Sequence, residues 1–207
     1  MTTDKSEEQE LGLTTRRIES LTDGVFAIAM TLLVLSLELP PLGQQLSGTQ
    51  LQQLLLSQAA KFFNYALSFV LLAVFWIIHH QQFHYIKRTN RTHLWINILV
   101  LMFVALMPFS TSLIGDFPGD WIAELFFSAN LFIVGLLFQL NWLYVTWFKH
   151  LTDRSLTPRL VALGLRRGLV TPAVALVAIV LSLIDAPLTT HIYILIPVIL
   201  LLPMFRR

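Results

Sequence analysis

Six times along the chain an apolar run comes close to the roughly 20 residues that a helix needs to cross a bilayer. The runs lie near 17–39, 60–80, 94–115, 121–148, 168–185 and 188–205, and they take up nearly all of the 207 residues. Backbone amides inside hydrocarbon have no water to bond, and a helix satisfies them within one segment. The expected fold is therefore an all-α integral membrane protein with six transmembrane helices, a single domain over residues 1–207 with a short cytoplasmic segment at about 1–15. Composition agrees, since 56% of residues are hydrophobic and only 13% are charged, outside the range of soluble domains.

The last run is interrupted by Pro197 and Pro203, which predicts a kinked or tilted helix. Two connections are long: residues 40–53, polar but uncharged, and residues 149–167, basic and partly amphipathic. Neither reads as a domain boundary. No small-residue cleavage site follows the first apolar run, so it reads as a retained span and not a signal peptide.

Lysine and arginine fix the orientation, because positively charged loops stay cytoplasmic. Lys5, Arg16 and Arg17 precede the first run; Lys87, Arg88 and Arg91 fall between the second and third; Lys149, Arg154, Arg159, Arg166 and Arg167 between the fourth and fifth; Arg206 and Arg207 end the chain. Among fourteen basic residues only Lys61 falls on the other side. Both termini are expected in the cytoplasm, in a cell (inner) membrane, with Asp116, Asp120 and Asp185 in external turns. A net charge of +2 is too small to suggest a nucleic-acid partner. With no cysteine in the chain, disulfides, thiolate metal sites and cysteine nucleophiles are excluded.

The first run carries the most unusual pattern. At 100° per residue Val25, Ile28, Leu32, Leu35 and Leu39 share one stripe, Thr31 sits at its edge, and Asp23 points to nearly the opposite side. A carboxylate at this depth is costly unless paired, and Arg16, Arg17 or a histidine of another helix could pair with it. Gly24, Ala27 and Ala29 are small enough to admit a neighbouring helix.

The string from Arg17 through Thr22-Asp23-Gly24-Val25-Phe26-Ala27-Ile28-Ala29 to Thr31-Leu32-Leu33-Val34-Leu35 resembles the first-helix signature of the transmembrane protein 175 family of potassium channels. The stretch from Phe75 to Ile86, FWIIHHQQFHYI, is similar to that family's second, aromatic and His-His, motif. One departure is the usual Phe-Ser before the aspartate, which is Leu21-Thr22 here; the hydroxyl is kept and the ring lost. The resemblance implies a homotetramer whose first helices line a central pore, embedded in the lipid bilayer, with no cofactor beyond permeant potassium ions. It implies an apolar constriction at Ile28, further apolar rings at Leu32 and Leu35, and a ring of hydroxyls at Thr31. It also implies a polar network of Arg17, Asp23, Trp76, His79 and His80 holding helices and subunits in register. Absence of a TVGYG-like segment fits a pore without a carbonyl filter, with weak to moderate selectivity for potassium over sodium set by side chains.

Two other classes are weighed against the channel. His80 and His84 stand at i, i+4, a spacing that suits a metal, and with His79 and His93 would suit a membrane metalloenzyme; no second histidine box and no carboxylate within a turn accompany them. A structural cluster or a pH-sensing role is the other reading of these histidines. A secondary transporter calls for interrupted helices in paired positions with central ionisable groups, and no such pair stands out, although Asn97, Glu124 and Asn130 could line a polar path. The aromatic run from Trp142 to Phe148 reads as an interfacial belt.

Overall fold

The computed structural model describes residues 15–37, 47–184 and 186–202. Leu39 of the apolar stripe, Lys5, Asp185, Pro203, Arg206 and Arg207 lie outside the described residues. The described chain is helical almost throughout. In order come α1 (Thr15–Leu32), continued by a 3-10 segment (Leu33–Ser36), α2 (Gly48–Ser57), α3 (Ala59–Tyr85), α4 (Arg91–Ala105), α5 (Met107–Asp116), α6 (Trp121–Trp147), α7 (Pro158–Ser182), α8 (Ala186–Ile192) and α9 (Leu195–Leu201). Five segments are long and apolar enough to cross a membrane: Thr15–Ser36, Ala59–Tyr85, Arg91–Asp116, Trp121–Trp147 and Pro158–Ser182. The sixth apolar stretch is shorter and broken at Tyr193 and Ile194. Its break precedes Pro197, whose ring and missing N–H cannot continue a helix from the residues before it.

Both long connections contain helix. Ser47 caps α2 by accepting from the Gln50 backbone N–H at 3.4 Å while the Gln50 side chain accepts from the Ser47 N–H at 2.9 Å, a capping box. Thr157 caps α7 and Pro158 opens it, the position where proline costs no hydrogen bond. Arg159, Arg166 and Arg167 therefore ride on the first turns of a helix that begins about ten residues before its apolar run. The third span is interrupted at Leu106, two residues before Pro108, for the same reason as the sixth.

The two basic connections are joined at one end of the helices. Lys87 and Arg88 donate their backbone N–H groups to the Leu151 carbonyl at 2.9 and 3.2 Å, and Asp153 N–H donates to the Tyr85 carbonyl at 2.8 Å. At the other end Lys61, the basic residue on the wrong side, pairs with Asp116 at 2.6 Å, so its charge is locally cancelled.

A core of buried apolar side chains runs between α1, α3, α4, α6 and α7, with Phe75 stacked on Phe138 at 5.3 Å. A smaller cluster of Ile18, Phe83, Ile86, Trp142, Val145 and Leu151 closes the end that carries the basic connections. Trp142, expected in an interfacial belt, is thus a core residue, and its indole N–H donates to the Val161 carbonyl at 3.2 Å; Trp147, of the same aromatic run, is exposed. The deepest packing is between α6 and α7. A Cβ on Gly164 would stand 2.4 Å from the Trp142 indole nitrogen, and one on Gly135 would stand 2.8 Å from the Pro172 ring. Gly164 and Gly168, four residues apart, form the small-residue spacing that lets membrane helices approach closely.

Gly164→Ala is expected to destabilise the fold by about 1–3 kcal/mol, the usual cost of overpacking, because the indole it meets is rigid and already hydrogen-bonded. Gly48→Ala, where a Cβ meets nothing within 4 Å, is the control. Thermal unfolding in detergent checks the pair, and equal melting temperatures would contradict this account of the α6–α7 contact.

Candidate pore-lining helix

α1 has one covered and one bare face. Ile18, Thr22, Phe26, Ala29 and Leu33 are buried against the rest of the chain, as a 3.6-residue period requires of a helix packed on one side. Ile28 is 60% exposed, Leu35 73% and Leu32 42%, whereas Ala29 is 2% and Leu33 0%. Gly24, Ala27 and Thr31 join the bare face. Val25, which the helical wheel put on the stripe, turns toward the core and packs against it. Asp23, nearly opposite the stripe on the wheel, is exposed as well and sits at the far margin of the bare face. Of the three small residues only Ala29 serves packing within the chain, and a Cβ on Gly24 would meet nothing within 4 Å.

Thr31 is held by its own helix. Its hydroxyl donates to the Ile28 carbonyl at 2.8 Å, so its proton is engaged and its oxygen lone pairs face outward as acceptors. Beyond Leu32 the backbone tightens to 3-10 geometry, in which i and i+3 eclipse, so Leu35 stands in line with Leu32 along the helix.

The residues expected to form one polar network fall into two groups. On the surface, the Trp76 indole N–H donates to the Asp23 carboxylate at 2.8 Å, and the His80 ring stacks on Trp76 at 5.8 Å. Arg17 is exposed and has no ion-pair partner among the described residues. Inside, His79 is buried with its Nε2 3.4 Å from Asn97 Oδ1 and 3.5 Å from the Thr22 hydroxyl. Asn97 Oδ1 can only accept, so this contact needs the Nε2–H tautomer. The Thr22 hydroxyl, kept where the resembling motif has serine, is the polar atom of α1 that reaches this buried group.

Asn97 is the junction that sequence reading left as a singleton. Its Nδ2 donates to the His93 carbonyl at 2.8 Å and to Asn141 Oδ1 at 3.1 Å. Asn141 Nδ2 donates to Gln82 Oε1 at 2.9 Å, and Gln82 Nε2 to the Phe138 carbonyl at 3.3 Å. His93, in the first turn of α4, shares a 2.8 Å contact between its Nδ1 and the Thr89 hydroxyl. Glu124 and Asn130 are also satisfied between helices on one side: Thr190 donates to Glu124 Oε1, and Asn130 donates to the Ser110 hydroxyl at 3.1 Å. His80 and His84 are both exposed, and among the described residues no group of three His, Asp or Glu side chains is placed to hold a metal.

The family model described as endosomal/lysosomal potassium channel TMEM175 matches residues 17–108, the stretch holding α1, Trp76, the histidine cluster and Asn97. A potassium channel of Streptomyces collinus is 33% identical over 178 residues, covering 84% of each chain. A potassium channel of Chamaesiphon minutus is 29% identical, covering 86% of this chain and 89% of that one. The endosomal/lysosomal proton channel TMEM175 of Gallus gallus is 25% identical, and the match spans 96% of this chain but only 40% of that longer protein. The crystal structure of a lysosomal potassium-selective channel TMEM175 homolog from Chamaesiphon minutus superposes with a TM-score of 0.76 at 29% identity, covering 89% of this chain and 95% of that one. With a bacterial relative at 33% identity over most of both chains and the same helical fold in that crystal structure, this protein belongs to the TMEM175 family.

Proposed function

We propose that the protein is a potassium-conducting channel and not an enzyme, built from four identical subunits in which α1 lines a shared central pore. Each subunit contributes six membrane helices, the broken α8–α9 stretch being the sixth, and both termini are cytoplasmic. The observation that carries this reading is the bare face of α1. A helix that buries Phe26, Ala29 and Leu33 yet leaves Ile28, Thr31, Leu32 and Leu35 uncovered has a second surface to serve, and a water-filled axis serves it. The names of the bacterial relatives support the same ion.

In this reading Ile28 is the tightest ring. An apolar constriction makes an ion shed part of its hydration shell, which potassium does more readily than sodium. The Thr31 oxygens, turned outward by their bond to the Ile28 carbonyl, replace some of the lost water; Leu32 and Leu35 keep the path apolar beyond them. The exposed Asp23–Trp76–His80 group and the free Arg17 guanidinium lie where a neighbouring subunit would meet α1. They hold subunits in register and do not touch the ion.

The test is flux from proteoliposomes loaded with potassium. Potassium efflux well above that of sodium at equal gradients is expected; no flux above empty vesicles, or equal flux of both ions, would refute the proposal. Asp23→Asn is expected to reduce the yield of tetramer on size-exclusion chromatography several-fold while the conductance of the tetramer that does form keeps its ion preference. Arg17→Ala should do the same. Normal assembly with altered selectivity would place these side chains in the pore and not at the subunit contact.

A further inference from the structure

Two cavities meet at one unpaired cation. The first, about 470 Å³, opens at the cytoplasmic end between α3 and α7 and is walled by His80, Gln81, His84, Trp142, Leu163 and Arg167. The second, about 580 Å³, continues along α3 beside α9 and is walled by Phe69, Val74, Ile77, Pro197 and Leu201. Ile78, Gln81 and Arg167 line both. Gln81 lies four residues before the end of α3, roughly 6 Å below it, and Phe69 lies about 18 Å deeper.

Arg167 is half-buried on α7, and its guanidinium donates to Gln81 Oε1 at 3.1 Å. It has no ion-pair partner among the described residues, and no carboxylate lines either cavity. A guanidinium inside the membrane boundary is costly without an anion, and its fork of N–H donors matches a phosphate. A cavity that carries the cation, two histidines and two glutamines among apolar side chains runs into one of acyl-chain length lined almost wholly by apolar side chains. This is the division of an anionic amphiphile.

We propose that the two cavities form one binding site for an anionic phospholipid of the cytoplasmic leaflet. The phosphodiester is bound by Arg167, with Gln81 and His84 beside it, and an acyl chain lies along α3 against Val74, Ile77 and Pro197. The headgroup end is fixed by charge complementarity, since five basic side chains of the adjoining connection and of the start of α7 already crowd this face and the polar wall holds only neutral or basic groups. This site is separate from the bare face of α1, so its failure would leave the pore reading untouched.

The experiment is native mass spectrometry of the purified full-length protein in detergent, titrated with phosphatidylglycerol, phosphatidylcholine or inorganic phosphate. Phosphatidylglycerol is expected to bind about tenfold more tightly than phosphatidylcholine, and Arg167→Gln to remove that preference. Arg166→Gln, which changes an exposed neighbour lining neither cavity, should leave it intact. Ala73→Trp, which fills the apolar cavity, should weaken both lipids. Arg167→Lys provides the case of a kept charge and should retain a reduced preference should the glutamine variant not fold. Equal loss in Arg166→Gln and Arg167→Gln would mean general attraction to a basic surface and would overturn the site. So would equal binding of the two lipids, or displacement of phosphatidylglycerol by inorganic phosphate at millimolar concentration, which would assign the cavity to free phosphate.

Discussion

Replacing Ile28 by asparagine is expected to raise cation flux at least tenfold and to bring potassium and sodium flux close to parity. The side chain is 60% exposed within its own subunit, so the substitution removes no packing and its effect is felt wherever the bare face is put to use. If the barrier is dehydration at an apolar ring, a polar ring lets water through with the ion, and each kcal/mol removed from the barrier multiplies the rate about fivefold. Thr31→Val separates width from chemistry. Valine keeps the shape and loses the oxygen whose proton is tied to the Ile28 carbonyl, so flux should change little while ion preference falls. Leu33 and Ala29 are buried at 0% and 2%, and conservative changes there should move stability and not preference. Flux under potassium and sodium gradients, at matched tetramer content, decides the matter: an Ile28→Asn channel that stays selective, or a Leu33 variant with the same phenotype, would take α1 out of the pore.

Why α1 could be read so far, and no further, follows from what periodicity encodes. The long spans were legible because hydrocarbon tolerates only long apolar helices, and hydropathy measures just that. The starts of α2 and α7 were not, since Ser47-Gly-Thr-Gln50 and Thr157-Pro158 are capping signals of a few residues inside polar stretches, and a hydropathy scan averages them away. A wheel gave the direction of Ile28 and Leu32 correctly relative to Ala29 and Leu33. It erred at Val25 and did not foresee that Asp23 is exposed, because it ranks residues by angle and cannot know how wide an arc the other helices cover. The pairing of Asp23 with Trp76, 53 residues apart, came only from a family motif; no local rule links those positions. Asn97 was passed over for the same reason. A single amide in an apolar helix says that a partner exists, and nothing in the sequence names it.

That amide carries the second large effect. An interhelical hydrogen bond within a membrane contributes on average only about 0.6 kcal/mol, so cutting one contact would be hard to see. Asn97 makes three contacts, two of them interhelical, with His79 and Asn141, and one to the His93 carbonyl of its own helix; Asn141 extends the chain to Gln82. Asn97→Leu strands the His79 Nε2–H and the Asn141 carbonyl oxygen together in a buried site, at about 1–3 kcal/mol for each group left without a partner. Expected results are a large loss of folded protein on extraction and a melting temperature lowered by several degrees in whatever survives. His79→Phe should cost less, because it leaves Asn97 with two of its partners and fills the ring position that stacks on Phe83 at 4.2 Å. The double variant His79→Phe, Asn97→Leu should then be more stable than the two single losses added together, since one removes the donor that the other strands. Strict additivity in that cycle would show that the His79–Asn97 contact, long at 3.4 Å, is proximity without a bond, and that α3 and α4 are held together here by packing and by the Asn97–Asn141–Gln82 chain instead.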